Sequence, residues 1–169
     1  HFKSPEYVGL FSRLVRLHER NDRLKEMEDS LRAAAASENP TEQSLEDLVR
    51  YYHLVADPMK EEEAVEALAH RLPADPSHRI RLAELELQND RYEAAAATLD
   101  ELMSSGGGVS LDLHLRRALV DLQSRGREAA ESRLTNLLDE GHIDADGRKG
   151  ILEFARTHYL DKLVERLLR

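Results

Sequence analysis

The chain repeats itself with a period of 35 residues, and this internal repeat constrains the fold more than any other feature. The repeated positions are all apolar: Ala83, Leu85, Leu87, Ala94, Ala95, Leu99 and Leu102 return as Ala118, Val120, Leu122, Ala129, Ala130, Leu134 and Leu137. A period in this range is typical of helix pairs that stack side by side and bury their apolar faces against one another. The sequence therefore predicts an array of helices rather than an enzyme core.

The same register extends along the whole chain with shifts of a few residues. It predicts one repeat domain over residues 1–169, made of five antiparallel helix pairs at 1–40, 41–75, 76–108, 109–142 and 143–169. The predicted first helices cover 7–19, 44–55, 77–88, 111–124 and 146–157, and their partners cover 24–37, 60–71, 92–104, 128–140 and 160–168. No segment alternates apolar and polar residues for long enough to predict a strand.

The unit at residues 76–105 resembles the tetratricopeptide repeat (TPR). The family's large and small packing positions are occupied by Leu82, Ala83, Tyr92, Ala95 and Leu99. Asp75-Pro76 and Asn39-Pro40 are similar to the family's closing Asp-Pro, and a proline stops one helix while starting the next. The chain departs from the family in having no tryptophan, and in having Gly106-Gly107-Gly108, which we interpret as a hinge, at the third boundary. The resemblance implies an all-α, right-handed superhelical α-solenoid.

In the TPR family the first helices line a concave groove, so the resemblance also implies a binding surface. Carried over position by position, the groove residues are Arg13, Arg16, Arg50, His53, Arg81, Glu84, Arg116 and Gln123. Arginine donates paired hydrogen bonds to a carboxylate, which favours a partner with an acidic segment. One alternative stays open, in which these arginines pair with glutamates on neighbouring repeats. The second helices carry most of the acid, including Lys60-Glu61-Glu62-Glu63, and their outer face is the other candidate surface.

Composition excludes several other functions. The net charge of −9 argues against nucleic-acid binding, which needs a basic stripe. The chain has no cysteine, and no apolar run approaches the roughly 18 residues that would cross a membrane. The histidines are scattered without metal-ligand spacing. We therefore predict a non-enzymatic protein with no cofactor and no metal site.

Residues 142–147 and Glu153 can be aligned with a calcium-binding loop, but His142 stands where the first acidic ligand belongs. We interpret this segment instead as a turn between repeats, in which an aspartate caps the next helix.

The predicted function is a protein–protein interaction scaffold that binds a partner protein or peptide in its groove. Two narrower alternatives stay open: a periplasmic segment of a bacterial exopolysaccharide-export protein that recruits a polymer-modifying enzyme, and a regulatory docking domain of a larger enzyme. The first places the chain in the periplasm, and a bacterial cytoplasmic location stays open. The chain begins at His1 rather than at methionine, which we interpret as a sign that it is a fragment of a larger protein.

The last helix pair carries apolar residues on a face that no further helix is predicted to cover. These residues are Phe154, Leu163, Val164 and Leu167. Because such an end can stack on a second copy, the sequence also predicts a homodimer through the C-terminal repeat.

Overall fold

The computed structural model describes residues 4–105, 110–141 and 143–169, and within these ranges the chain forms ten α-helices and no strand. The helices are α1 (Pro5–Arg20), α2 (Leu24–Ala35), α3 (Glu42–Leu54), α4 (Pro58–Arg71), α5 (Pro76–Gln88), α6 (Tyr92–Ser104), α7 (Leu111–Arg125), α8 (Arg127–Asp139), α9 (Ala145–Thr157) and α10 (Asp161–Leu168). Each helix begins and ends within two residues of its predicted position, which confirms the all-α fold. The predicted hinge at 106–108 lies outside the described residues.

Short polar side chains fix the starts of many helices. The side chains of Ser4, Thr41, Asp57, Asp75, Ser110 and Asp144 each accept a hydrogen bond from a backbone N–H of the first helical turn. Such caps satisfy N–H groups that have no partner inside the helix. Asp144 accepts from the N–H of Gly147 at 2.7 Å, which confirms the aspartate cap predicted before α9, although His142 itself lies outside the described residues.

The turn inside each predicted helix pair contains one residue in the left-handed backbone conformation. These residues are Asp22, Ala56, Asp90, Gly126 and Tyr159, with φ between 54° and 90°. All but Gly126 carry a side chain, which makes this conformation cost roughly 1–2 kcal/mol. The internal repeat is therefore present in the backbone of the turns as well as in the apolar sequence pattern.

The chain divides into two compact units, each described by itself. The N-terminal unit (His1–Asn89) contains α1 to α5, and the C-terminal unit (Asp90–Arg169) contains α6 to α10. The main apolar cluster of the N-terminal unit is formed by Phe11, Val15, Met27, Leu48, Tyr51, Tyr52 and Ala64. The cluster contains residues of α1, α2, α3 and α4, so it holds these four helices together. The side chains that face outward from the same helices are thereby held in fixed relative positions.

Small and large residues alternate in the core of the C-terminal unit. Ala118, Ala130 and Ala155 are fully buried, and Leu134 and Ile151 fill the space around them with no exposed surface. Alanine lets helix axes approach closely, while the larger side chains fill the adjacent layer. Most of the repeated apolar residues of the sequence are thus core residues in this unit, while Ala94, Leu122 and Ala129 are half-buried.

One of the four residues predicted to form an apolar end face is buried, and the other three are partly covered. Leu163 is only 1% exposed, and Phe154, Val164 and Leu167 are half-buried against the core of the C-terminal unit. Leu163 is therefore unavailable to a second copy. The homodimer stays a prediction.

Candidate protein-binding surface

Three of the predicted groove residues come together in the N-terminal unit. Arg50 and His53 project from α3 and Arg81 projects from α5, and all three border one surface depression of about 390 Å³. We call it the α3–α5 depression; the other residues that line it are Glu46, Val49 and Glu61. Its volume is within the range of sites that take a small ligand or a few side chains of a partner.

Glu61 forms the buried acidic part of the depression. Its side chain is only 6% exposed, and its Oε1 accepts a hydrogen bond from Nη2 of Arg81 at 2.6 Å. Nδ1 of His53 lies 3.3 Å from Oε2 of the same carboxylate, while the His53 side chain is 65% exposed. Arg81 therefore supplies the charge that Glu61 needs, and His53 is the accessible member of the group.

Arg81 also contacts a second carboxylate, that of Glu84, at 3.2 Å on the same helix. Burial alone would lower the pKa of Arg81, but its hydrogen bonds and charge interactions with Glu61 and Glu84 outweigh burial and raise the pKa. The side chains of Arg81 and Glu84 are both 34% exposed, so this pair is open to competition from solvent or from another acid.

Arg50 is held by its own unit. Its guanidinium lies 2.9 Å from Asp47, and it covers the ring of Tyr7 at 5.7 Å from the ring centroid. The hydroxyl of Tyr7 donates to the other Asp47 oxygen at 2.7 Å. Arg50 thus ties α3 to α1 through an aspartate of its own helix and an aromatic ring of α1.

Arg13 and Arg16, the predicted groove residues of α1, are exposed and differ from Arg50. Neither makes an ion pair or a side-chain hydrogen bond with any residue in the described ranges. Their guanidinium groups are therefore available on the outside of α1.

The other two predicted groove residues lie on α7 in the C-terminal unit. Arg116 contacts Asp112, one turn earlier on the same helix, at 2.7 Å, and Gln123 is exposed. That these eight residues bind a partner stays a prediction.

A buried ionic cluster in the C-terminal unit has no counterpart in our sequence analysis. Arg117 and Asp121 are 4% and 3% exposed and are joined at 2.6 Å. Arg117 also donates to Asp100 on α6 at 2.9 Å, and Arg133 on α8 contacts Asp121. The four-residue spacing of Arg117 and Asp121 indicates that they are neighbours on a helix, but spacing alone does not distinguish a buried ion pair from a surface ion pair.

The groups of this cluster shift one another's pKa. Burial would raise the pKa of Asp121, but hydrogen bonds from Arg133 and Arg117 outweigh it and lower that pKa. Burial would lower the pKa of Arg117, and its contacts with Asp100 and Asp121 raise it instead. Both groups therefore stay charged, and the cluster holds α6, α7 and α8 together.

The described residues contain no group of three or more histidine, cysteine, aspartate or glutamate side chains arranged to hold a metal ion. Over the same ranges, none of the helices has the length and apolar character needed to cross a bilayer.

Comparisons with known proteins identify the fold. No protein-family model matches the sequence, and no curated protein matches it. Among solved structures, the chain is similar to a putative kinesin light chain from Podosopora anserina, a protein of nearly identical TPR-like repeats. The two chains are 14% identical with a TM-score of 0.58, and the match covers 98% of this chain and 93% of that one. It is also similar to a TPR protein from Parabacteroides merdae, with 17% identity, a TM-score of 0.56, and coverage of 98% of this chain and 63% of that one.

The fold and these similarities define a class. The chain is an all-α solenoid built of helix pairs. More narrowly, it has a TPR-like helical-repeat fold, as the resemblance in its sequence implied.

Proposed function

We propose that this chain is a non-catalytic scaffold that binds an acidic segment of a partner protein at the α3–α5 depression. One observation carries the proposal: the depression brings Arg50, His53 and Arg81 together from two successive first helices. The sequence predicts all three as groove positions. Preformed clefts on rigid helices bind peptides with little loss of conformational freedom in the protein.

The chemistry of the depression favours one mode of recognition. Glu61 is buried and keeps its contact with Arg81, whereas Glu84 is half-exposed and contacts the same guanidinium from outside. A carboxylate of the partner replaces Glu84 at Arg81 and accepts a hydrogen bond from the exposed ring of His53. Arg50 stays engaged with Asp47 and forms the wall of the site rather than its ligand.

The experiment that tests the location of the site is photo-crosslinking in cell extract of the source organism. A photoreactive amino acid replaces His53 in one sample and the exposed Glu66 of α4 in a second. We expect a discrete crosslinked partner from position 53 and none from position 66. Equal labelling from both positions, or labelling from position 66 alone, would contradict the proposal.

The recognition chemistry is then measured with the captured partner by calorimetry. Glu84→Gln removes the competing carboxylate and is expected to strengthen binding by about threefold, the effect of one exposed ion pair. His53→Ala is expected to weaken binding by a similar factor. Glu63→Gln and His70→Ala are the matched controls, since both residues are exposed on α4 and lie outside the depression. Arg81→Glu is a poor test because it puts a second carboxylate beside the buried Glu61.

The narrower roles stay predictions of the sequence. These are the periplasmic role in exopolysaccharide export, with its bacterial compartment, and the role of a docking domain attached to an enzyme.

A further inference from the structure

Helix α1 is apolar on two adjoining faces, and only one of them is covered. Phe11 and Val15 are buried in the core of the N-terminal unit. Leu10, Leu14 and Leu17 follow one another at helical spacing and are 63%, 44% and 53% exposed. We call these three residues the α1 leucine stripe. Single exposed leucines are ordinary, but three in a row along one helix form a continuous apolar surface.

The stripe borders a cleft rather than a flat surface. A cleft of about 470 Å³ runs between α1 and α2, and its apolar lining is provided by Phe11, Leu14, Met27 and Leu31. Leu14 belongs to both the stripe and the cleft. An apolar side chain of a binding partner can therefore enter the cleft while its neighbours one turn away contact Leu10 and Leu17.

Three arginines accompany the stripe along the same helix. Arg13 is three residues from Leu10 and four from Leu17, and Arg20 is three residues from Leu17, so these side chains are neighbours on the helix surface. Arg16 extends the row between Arg13 and Arg20. All three are exposed, and none pairs with a carboxylate of the described residues. In a chain with 33 acidic and 24 basic residues, such a row of unpaired arginines is a specific feature.

We propose that the α1 leucine stripe binds an acidic amphipathic helix of another protein. Leucines of that helix enter the α1–α2 cleft, and its acidic residues contact Arg13, Arg16 and Arg20. The cleft borders the α3–α5 depression, since Asp47 lines the cleft and pairs with Arg50 of the depression, but the proposed ligand here is a folded helix rather than an acidic segment. The complementary pattern, an apolar stripe flanked by charge, is the usual one when a helix binds in a groove.

Two other occupants fit less well. A membrane surface is flat, so it leaves the cleft unfilled. A membrane that attracts arginine is anionic, and such a surface repels a chain of net charge −9. Two copies of this chain that pair stripe to stripe bring two rows of arginine together, which is unfavourable. No other described helix carries a row of exposed large apolar residues that a second copy could offer instead.

The test uses a fluorescein-labelled, alanine-based peptide with leucines along one helical face and glutamates flanking them. A second peptide carries lysine at every glutamate position. Fluorescence anisotropy with the full chain is expected to show saturable binding of the glutamate peptide and at least about tenfold weaker binding of the lysine peptide. Binding of the glutamate peptide is expected to weaken as salt is added, because exposed ion pairs are screened.

Two variants of the chain locate the site. Leu14→Gln and the triple variant Arg13→Glu, Arg16→Glu, Arg20→Glu are each expected to weaken binding by about tenfold or more. The charge-matched control is Arg71→Glu, Arg127→Glu, Arg156→Glu, at three exposed arginines elsewhere in the chain. Circular dichroism checks that every variant keeps its helix content.

Several results would overturn the proposal. Absence of binding, equal binding of both peptides, or equal weakening by the control triple variant would each do so. A dimer in analytical ultracentrifugation that Leu14→Gln dissociates would assign the stripe to a second copy. Sedimentation with vesicles of phosphatidylglycerol and phosphatidylcholine that Leu14→Gln abolishes would assign it to a membrane. None of these results bears on the α3–α5 depression, which is tested at His53 and Glu84.

Discussion

Arg117 and Asp121 form an ion pair 2.6 Å apart on one face of α7, and both side chains are 5% exposed. Each also contacts a neighbouring helix, since Arg117 reaches Asp100 and Asp121 is reached by Arg133. A buried pair of this kind adds little over a well-packed apolar pair, but loss of one partner leaves an uncompensated charge inside the protein. The pair is therefore a point at which single substitutions are costly.

We expect Asp121→Asn to lower the free energy of unfolding by about 3 kcal/mol, the lower end for a broken buried pair, because Arg117 stays buried and keeps only the half-exposed Asp100 as a counter-charge. The matched control is Asp112→Asn, which removes one partner of Arg116 at a site where the aspartate side chain is 60% exposed. For that control we expect a loss of about 0–1 kcal/mol. Urea unfolding followed by circular dichroism measures both. Equal losses of unfolding free energy in the two variants would mean that the buried pair contributes no more to stability than the exposed pair.

The same pair predicts sensitivity to acid. The pKa of Asp121 is lower in the folded protein than the ordinary aspartate value of about 3.9. At a pH between these two pKa values, Asp121 binds more protons in the unfolded chain than in the folded protein. The contribution of Asp121 to stability is therefore complete above the ordinary value and is lost as the pH falls through the folded value. Glu28, whose pKa is lowered by its hydrogen bond to Lys60, has the same direction.

The measurement is the urea midpoint of wild type and Asp121→Asn as the pH is lowered from neutral to below about 4. We expect the difference between the two proteins to shrink as acid protonates Asp121 in the wild type. The remaining decrease in both proteins reflects other carboxylates, Glu28 among them. A difference that stays constant over this range would show that Asp121 keeps an ordinary pKa.

The fold could be predicted from the sequence because its determinants are local. Apolar spacing identifies each helix, and residues such as Thr41 and Asp75 mark helix starts through contacts within one turn. The pairing of Ala95 with Leu99, repeated at Ala130 and Leu134, identifies core positions, and all four are 1% exposed or less. These signals need no knowledge of which helices meet.

The candidate site could be predicted only in part, because charge pairing depends on which helices meet. Arg50 and Arg81 occupy equivalent repeat positions, yet Arg50 pairs with Asp47 on its own helix and Arg81 reaches Glu61 on α4. The acidic run at Lys60–Glu63 looks solvated in sequence, but Glu61 and Glu62 are 5% and 2% exposed. Arg81 of α5 contacts Glu61, and Asn89, the residue after α5, contacts Glu62, and both of these partners are 20 or more residues away in sequence.

The core of the C-terminal unit predicts a large effect of truncation. Leu134 has no exposed surface and packs among small and large apolar side chains. We expect Leu134→Ala to lower the free energy of unfolding by about 2–5 kcal/mol, because it removes apolar contacts and leaves a cavity. Leu168→Ala is the control, since Leu168 is 62% exposed, and its expected effect is within about 0.5 kcal/mol. An unchanged urea midpoint for Leu134→Ala would contradict this account of the core.

The turn between α3 and α4 predicts a stabilising substitution. Ala56 is exposed and has φ of 56°, a conformation that is strained for alanine and unstrained for glycine. Glycine also makes the unfolded chain more flexible, which offsets part of the gain, so we expect Ala56→Gly to raise stability by about 0.5–1 kcal/mol. Ala67→Gly, at an exposed position inside α4, is the control and is expected to lower stability by about 1 kcal/mol. Thermal unfolding of the two variants should shift in opposite directions. A decrease for both would show that the backbone at Ala56 is not left-handed in solution.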